Sequence, residues 1–302
     1  MPRRVLLLGA GGQLGLQLNK LLSSTSVEDF ELTALTRAQL DFNDPDALRA
    51  AIRKARPEFV VNAAAYTAVD RAEQEQHLAR QVNTIAPGIL AEKLAQVSGP
   101  DAWFIHYSTD YVFDGSGDAP WRETDATGPL NVYGQTKLDG EAAIAATGCK
   151  HLVLRTSWVY AADGRNFLHT MLRLGRERDR LQIVDDQIGA PTSAEAISAA
   201  TMAILRKLMH GGEGQEAGGV YHLTCGGETS WCGFARAIFE AFQSQQAPPE
   251  VTPIPTEAYP TPARRPKNSR LDCSKVEAAF SVRMPSWEDA LHEVANELRA
   301  RS

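Results

Sequence analysis

Short apolar runs recur through the first half of the chain, and none is long enough for a helix of ordinary length. They are RVLLLGA (4–10), FELTALT (30–36), EFVVNAAA (58–65), AWFIHYS (102–108) and HLVLRTS (151–157). Each is rich in branched or aromatic residues and bounded by turn formers, so each predicts a buried strand. The segments 15–22, 45–54, 83–95 and 133–145 between them read as helices. Strand–helix alternation predicts a parallel sheet covered on both faces, an α/β, doubly wound, Rossmann-like arrangement. Such sheets bind ligands at the carboxyl ends of their strands.

Beyond Ser157 the pattern loosens. The stretch 173–197 mixes a charged helix end, a short strand and a new helix starting at Thr192 or Ser193, just after Pro191. GGEGQEAGG (211–219) reads as a solvated loop and VYHLTC (220–225) as a strand. The prolines of 248–266 remove donors and fix φ, which excludes regular helix there. Over 286–300, Trp287, Leu291, Val294, Ala295 and Leu298 share one face, with Ser286 and Asp289 in capping-box positions, so a terminal helix should pack on the body. The expected division is a dinucleotide-binding domain over 1–158, with 192–225 returning to it. A smaller, discontinuous C-terminal substrate domain would take 159–191 and 226–302.

Composition narrows the partners. With 31 Lys and Arg against 37 Asp and Glu, the chain of 302 residues carries a net charge of −6 and no concentrated basic run. That argues against nucleic acid or an anionic membrane as the main partner, while a local positive pocket for a phosphate remains compatible. The opening MPRRVLLLGAGG has too short an apolar run for a signal peptide, and nothing approaches the ~20 apolar residues of a membrane span. Cys149, Cys225, Cys232 and Cys273 are scattered without CxxC spacing. They read as reduced thiols of a cytoplasmic protein rather than a disulfide frame or zinc site.

Candidate chemistry begins at the first strand, which runs into GAGGQLG (9–15) and then a helix. Glycines 9, 12 and 15 permit a tight turn and a close approach of backbone N–H groups to a pyrophosphate at a helix N-terminus. After the second strand come Thr36 and Arg37, with no acid before Asp41. Arg37 suits the 2′-phosphate of NADP, so NADPH is expected, with NADH use left open. Asp41 and Phe42 could hold the adenine, and the small residues of NAAAYTAVD (62–70) would let a flat cofactor lie near the backbone. Tyr133 and Lys137, in YGQTK, share one helical face and could act on one small molecule. That spacing alone is equally that of an ordinary surface pair.

In this order the glycine turn, NAAAYT, STDYVFDG (108–115) and YGQTKLDGE (133–141) resemble the extended short-chain dehydrogenase/reductase superfamily, and within it the dTDP-4-dehydrorhamnose reductase family. RTSWVYA (155–161), DDQIGAPT (185–192) and ARRPKNSRLD (263–272) extend the resemblance over nearly the whole chain. It implies Tyr133 as catalytic tyrosine, Lys137 as its partner, and Thr109 as a hydroxyl that hydrogen-bonds the reacting oxygen. Gly12, Gln13 and Leu14 would contact the pyrophosphate, Asp41 and Phe42 the adenosine end, Ala65, Tyr66 and Thr67 the cofactor's middle, and Tyr107 would lie against the cofactor. Thr109, Asp110 and Trp158 would touch the deoxysugar, and Arg264 and Arg265 would suit its diphosphate. A Lys137 ammonium near the phenol should lower the tyrosine's pKa from its ordinary value near ~10.

The implied activity is NADPH-dependent reduction of the C4 keto group of dTDP-4-dehydro-L-rhamnose to dTDP-L-rhamnose, a polysaccharide precursor, by a homodimer. Related dehydratases carry an Asp–Glu pair where this chain has Asp110 and Tyr111, which disfavours elimination; an epimerase, or a non-catalytic NADP-binding regulatory subunit, stays open. Some such reductases are associated with Mg²⁺, but no compact acidic cluster is readable. Glu195 and Glu297 read as solvated helix residues, and no metal site is assigned.

Overall fold

Five of the apolar runs become neighbouring strands: β1 (Arg3–Leu8), β2 (Phe30–Leu35), β3 (Phe59–Asn62), β4 (Trp103–Thr109) and β5 (Lys150–Thr156). The structure is a computed structural model that describes residues 2–24, 29–210, 218–242 and 248–301. A sixth strand, Gly219–His222, adds to the edge beside β5. Across the sheet the order is β2, β1, β3, β4, β5 and the late strand, all parallel. Every residue of β3 and β4 is buried, as expected where helices cover both faces.

Each face has its own core. On one side Leu18 and Leu22 of α1 (Gln13–Ser24) pack with Ile197 and Leu205 of the helix Ala194–His210 over Val5, Leu7, Val61 and Ile105. On the other, Leu48 and Ile52 of α2 (Pro45–Ala55) meet Leu90 and Leu94 of the helix Ala86–Ser98 over Leu6, Leu8, Val60 and Phe104. The alternation of inward residues along β1, Val5 and Leu7 one way and Leu6 and Leu8 the other, follows from the two-residue repeat of a strand. α2 starts at Asp44, whose carboxylate accepts from Asp46 N at 2.9 Å and Ala47 N at 3.0 Å, followed by Pro45 at the first turn. The chain grows from β1 outward to β2 and then crosses to β3 on the other side, which opens a crevice at the carboxyl ends of β1 and β3.

A third core lies beyond the sheet. Helices Phe167–Glu177, Trp231–Ala241 and Trp287–Ala300 gather Leu168, Met171, Phe234, Ile238, Leu291 and Val294. Of the first helix only the charged end was read from the sequence, and the second and a short one at Ser274–Phe280 were not. The terminal helix begins as expected, with Ser286 Oγ accepting from Asp289 N at 3.0 Å. The proline-rich stretch 248–266 is not helical beyond one turn at Thr256–Ala258; its first part, Glu250–Ile254, is a strand that pairs in parallel with Arg180–Val184. Of the loop expected over 211–219, residues 211–217 lie outside the described residues. Among the described residues no helix is long and apolar enough to cross a membrane.

One buried ion pair ties the helix Val132–Ala145 to β5. Arg155 Nε and Nη2 reach the two oxygens of Glu141 at 3.0 and 2.6 Å, with both side chains almost wholly buried, and Ser108 Oγ donates to the same carboxylate. The guanidinium also lies 5.1 Å from the Phe113 ring centre. Removing one partner of such a pair strands a charge in low dielectric, at about 3–5 kcal/mol. Arg155→Leu should therefore lose about that much stability in urea unfolding, and adding Glu141→Leu should restore most of it. Equal stability of the single variant and the wild type would refute the assignment.

Candidate active site

The glycine turn is shaped by close backbone approach. Gly9 sits at φ +76°, and a Cβ there would come within 2.6 Å of Ala64 N. A Cβ on Gly15 would meet Gly9 O at 2.0 Å, so α1 can start so near β1 only with glycine at both places. Gly12 N donates back to Gly9 O at 2.9 Å, closing the turn. Beside it opens a cleft of about 420 Å³, lined by Gly9, Gly12, Arg37, Asp41, Phe42, Ala65 and Tyr66 of the expected residues. It also takes in Thr36, named beside Arg37 in the sequence, and Asn43, Leu78 and Val82, which sequence reasoning missed.

Not every expected residue turns the same way. Leu14 packs against the core, Gln13 reaches across to Asn166, whose Nδ2 donates to Gln13 Oε1 at 2.8 Å, and Thr67 is exposed outside the cleft lining. The Phe42 side chain belongs largely to the core. Asp41 accepts from Asn43 N and Nδ2, both at 2.9 Å, and these bonds, with the more distant Arg37 charge, hold its carboxyl below the usual range. Tyr107 was expected against the cofactor; instead its ring is buried in the core and its hydroxyl bonds Thr201 at 2.8 Å. Its carbonyl faces Lys137.

That carbonyl accepts from Lys137 Nζ at 2.5 Å, and the same nitrogen lies 2.9 Å from His106 Nε2. Lys137 is 1% exposed, and burial pulls its pKa down to about 8. Tyr133, one turn earlier on the helix Val132–Ala145, is half-buried. Burial pushes its phenol up to about 12, a Thr109 hydrogen bond opposes this, and the Asp110 charge adds to it. The expected lowering by Lys137 is thus not what this arrangement produces: desolvation dominates, and the lysine is turned to His106 and the sheet. Thr109 Oγ1 donates to Asp110 Oδ1 at 3.0 Å and accepts from Tyr111 N at 3.2 Å. Tyr111 packs edge-on against Tyr133, ring centres 5.7 Å apart.

A second cleft, about 890 Å³, is lined by Tyr111, Asp70, Trp231, Gln187, Tyr259 and Arg265, among others. Trp158 stacks on Trp231 with ring centres 3.7 Å apart, and its backbone has φ +48°, a rare conformation for a bulky residue that the fold must enforce. The arginine pair divides. Arg265 Nη2 meets Asp70 Oδ2 at 2.8 Å within this cleft, whereas Arg264 is exposed and lines only a neighbouring hollow. The lining combines aromatic faces, amides and a cation, the mixture that suits a flat base joined to phosphates.

The family model for the RmlD substrate binding domain matches residues 3–300. The dTDP-4-dehydrorhamnose reductase of Escherichia coli K12 is 43% identical over 298 residues, spanning 97% of each chain. That of Burkholderia thailandensis is 44% identical over 95% of this chain and 96% of its own. The chain belongs to the dTDP-4-dehydrorhamnose reductase family. The Bacillus anthracis member, solved in complex with NADP, superposes with a TM-score of 0.89 at 32% identity, over 98% of this chain and 100% of that one.

A further residue missed in this member of the family is Asn83. Its Oδ1 accepts from Tyr66 N at 2.8 Å and its Nδ2 donates to Tyr66 O at 3.1 Å and to Thr136 Oγ1 at 3.1 Å, clamping the loop after β3 to the helix of Tyr133. It sits in a wide helical turn, Gln81–Ile85. The sequence signal was Pro87, which lacks the N–H that would close on residue 83. Glu195 is not the solvated residue expected: it is mostly buried, and burial and then the Glu297 and Asp163 charges raise its pKa. Among the described residues no group of three or more His, Cys, Asp or Glu is placed to hold a metal.

Asp110 is 2% exposed, and burial raises its pKa to about 7, against hydrogen bonds from Ser269 and Thr109. A carboxyl raised in the folded state stabilises the fold below its unfolded pKa, and that contribution is lost as pH rises through about 7. At roughly 1.4 kcal/mol per unit, the loss amounts to a few kcal/mol. Asp110→Asn should therefore match the wild type more nearly at pH 4 and gain on it by about 1–4 kcal/mol by pH 8. A pH-independent difference in unfolding free energy would show that Asp110 titrates normally.

Proposed function

We propose that this protein reduces the C4 keto group of dTDP-4-dehydro-L-rhamnose to the alcohol of dTDP-L-rhamnose with NADPH as reductant, forming a precursor of cell-surface polysaccharide. The observation that carries this reading is the trio at the carboxyl end of β4: Thr109 and Asp110 beside the Tyr133 phenol, with Tyr111 rather than an acid next in line. Without a second carboxylate there is no base for elimination.

The cleft would suit the cofactor: Gly9 and Gly12 line it, and α1 can start this close to β1 only because Gly9 and Gly15 carry no Cβ. Gly9, Gly12, Gln13, Leu14 and Gly15 would hold the pyrophosphate through the start of α1, Arg37 the 2′-phosphate, Asp41 and Phe42 the adenosine end, and Ala65, Tyr66 and Thr67 the middle. When bound, NADPH supplies the hydride that C4 receives. Tyr133 protonates the developing alkoxide; a phenol raised to about 12 holds its proton at neutral pH, which suits an acid. The Thr109 hydroxyl, now donating to Asp110, would turn to stabilise the same oxygen. Lys137 would support Tyr133 electrostatically, Trp158 would bound the sugar, and Arg265 would exchange Asp70 for a substrate phosphate, with Arg264 nearby. On this reading 159–191 and 226–302 form the substrate side and 1–158 with 192–225 the cofactor side. The free thiols fit a cytoplasmic setting.

Two variants test it. Tyr133→Phe should lower kcat by about 10²–10⁴, the usual worth of a positioned general acid; an unchanged rate of NADPH absorbance loss with enzymatically made dTDP-4-dehydro-L-rhamnose would remove Tyr133 from that role. A wild type that binds NADPH but never oxidises it with verified substrate would favour a non-catalytic subunit. Arg37→Ala should raise KM for NADPH by roughly tenfold or more, the worth of a charged hydrogen bond, while leaving NADH kinetics unchanged. Equal effects on both cofactors would mean that Arg37 does not read the 2′-phosphate.

A further inference from the structure

Behind Lys137 lie two buried polar groups that the proposed mechanism does not use. Asn62, at the end of β3, is 1% exposed and His106, in β4, is fully buried. Asn62 Nδ2 lies 3.1 Å from His106 Nδ1, and His106 Nε2 lies 2.9 Å from Lys137 Nζ. The Asn62 amide is oriented by its other end, because Oδ1 accepts from Ala64 N at 3.2 Å; reversed, it would set its NH₂ against that N–H.

The hydrogen count follows. Asn62 donates, so Nδ1 accepts. A neutral imidazole accepts at one nitrogen and donates at the other, so Nε2 carries the hydrogen and points it at Nζ. An ammonium has no lone pair to receive it. The lysine that fits this network is the neutral amine, which accepts from Nε2–H and donates to the Tyr107 carbonyl.

We propose that His106 is a positioning residue that sets the protonation of Lys137: its ring, oriented by Asn62, holds the lysine as an amine. The lysine becomes an ammonium when the Asn62 amide and the imidazole reverse their hydrogen-bond polarity together. Burial acts in the same direction, lowering the pKa of His106 well below its ordinary value and that of Lys137 to about 8, and the Nε2–H aimed at Nζ takes the lysine the rest of the way to the amine at pH 7. The charged and titratable groups facing the pair are few. Glu141, one turn beyond Lys137, favours the ammonium, but it is shared with Arg155 of β5. The face of His106 is covered by the Phe104 ring, with centres 6.3 Å apart. An anionic nucleotide in the adjoining cleft would favour the ammonium and so drive the reversal. The site would then acquire the charge that acidifies Tyr133 only when loaded.

This proposal rests on Tyr133 and Lys137 as the reducing pair, and its first test needs no turnover. Protein labelled with ¹⁵N-histidine, with the His106 resonances assigned by their loss in His106→Gln, should show the Nε2–H tautomer at pH 7 without nucleotide. It should show Nδ1–H once saturated with NADP⁺. An Nδ1–H or doubly protonated ring before nucleotide, or a tautomer that NADP⁺ leaves unchanged, overturns the proposal even if the enzyme reduces its substrate normally. Asn62→Asp gives a second readout. Its carboxylate still accepts from Ala64 N but can only accept from Nδ1–H, so Nε2 becomes an acceptor for the ammonium. The alkaline fall of kcat, which reports loss of the lysine proton in the loaded enzyme, should move up by at least about one pH unit, the size of a modest electrostatic shift. An unmoved limb in a variant with wild-type circular dichroism refutes the coupling; if the variant misfolds, the tautomer measurement decides.

Discussion

The helix Val132–Ala145, which bears Tyr133 and Lys137, can lie where it does only because two of its residues have no side chain. A Cβ on Gly134 would come within 2.2 Å of Tyr111 O, and one on Gly140 within 2.1 Å of Asn83 O. Backbone at those positions cannot yield as a flexible side-chain tip could, so the helix Val132–Ala145 is held between the turn after β4 and the wide turn at Gln81–Ile85. That close approach carries Tyr133 to Thr109 and buries Lys137 beneath the sheet. The cap adds to it: Asn131 Oδ1 accepts from Gly134 N at 2.8 Å while its Nδ2 donates to Arg264 O at 2.8 Å, tying the helix start to the loop that bears Arg265.

Burial is what gives these residues unusual acidities. Tyr133, Asp110 and Lys137 all shift toward their neutral forms, because a low-dielectric site penalises whichever form is charged. A neutral phenol, a carboxyl that titrates near neutrality and a lysine poised near pH 8 describe a site that keeps protons available until charge develops. Reduction of a carbonyl creates such charge on one oxygen, and preorganised donors are worth most where water is excluded.

The sheet unit meets later segments of the chain through an apolar contact, Val276, Phe280 and Val282 packing in the sheet's own core, and through polar ones. Arg265 with Asp70, Asn131 with the Arg264 carbonyl, and Gln13 with Asn166 each link a residue of the sheet unit to a residue distant in sequence. Such contacts can rearrange at modest energy, unlike the apolar cores on either side, so ligands that bridge the two sides can replace them.

Much of the sheet was legible because it is local. Strand runs, the glycine turn, the Asp44–Pro45 start of α2 and the Ser286 cap are written in a few adjacent residues, and periodicity alone places them. Helices 167–177 and 231–241 carry similar periodicity, but in the looser second half only the charged end of the first was read. Tertiary structure decided what depends on distant partners. It sent the Tyr107 hydroxyl to Thr201 and split the arginine pair by giving only Arg265 the carboxylate of Asp70. It stacked Trp158 on Trp231 across 73 positions of sequence, the difference of their numbers, and set His106 between Asn62 and Lys137. The sequence by itself determined the strand–turn–helix order and placed Tyr133 and Lys137 on one helical face. Only the packed sheet, which removes water and brings β3, β4 and the helix Val132–Ala145 together, decided which of them hold protons and toward whom they point.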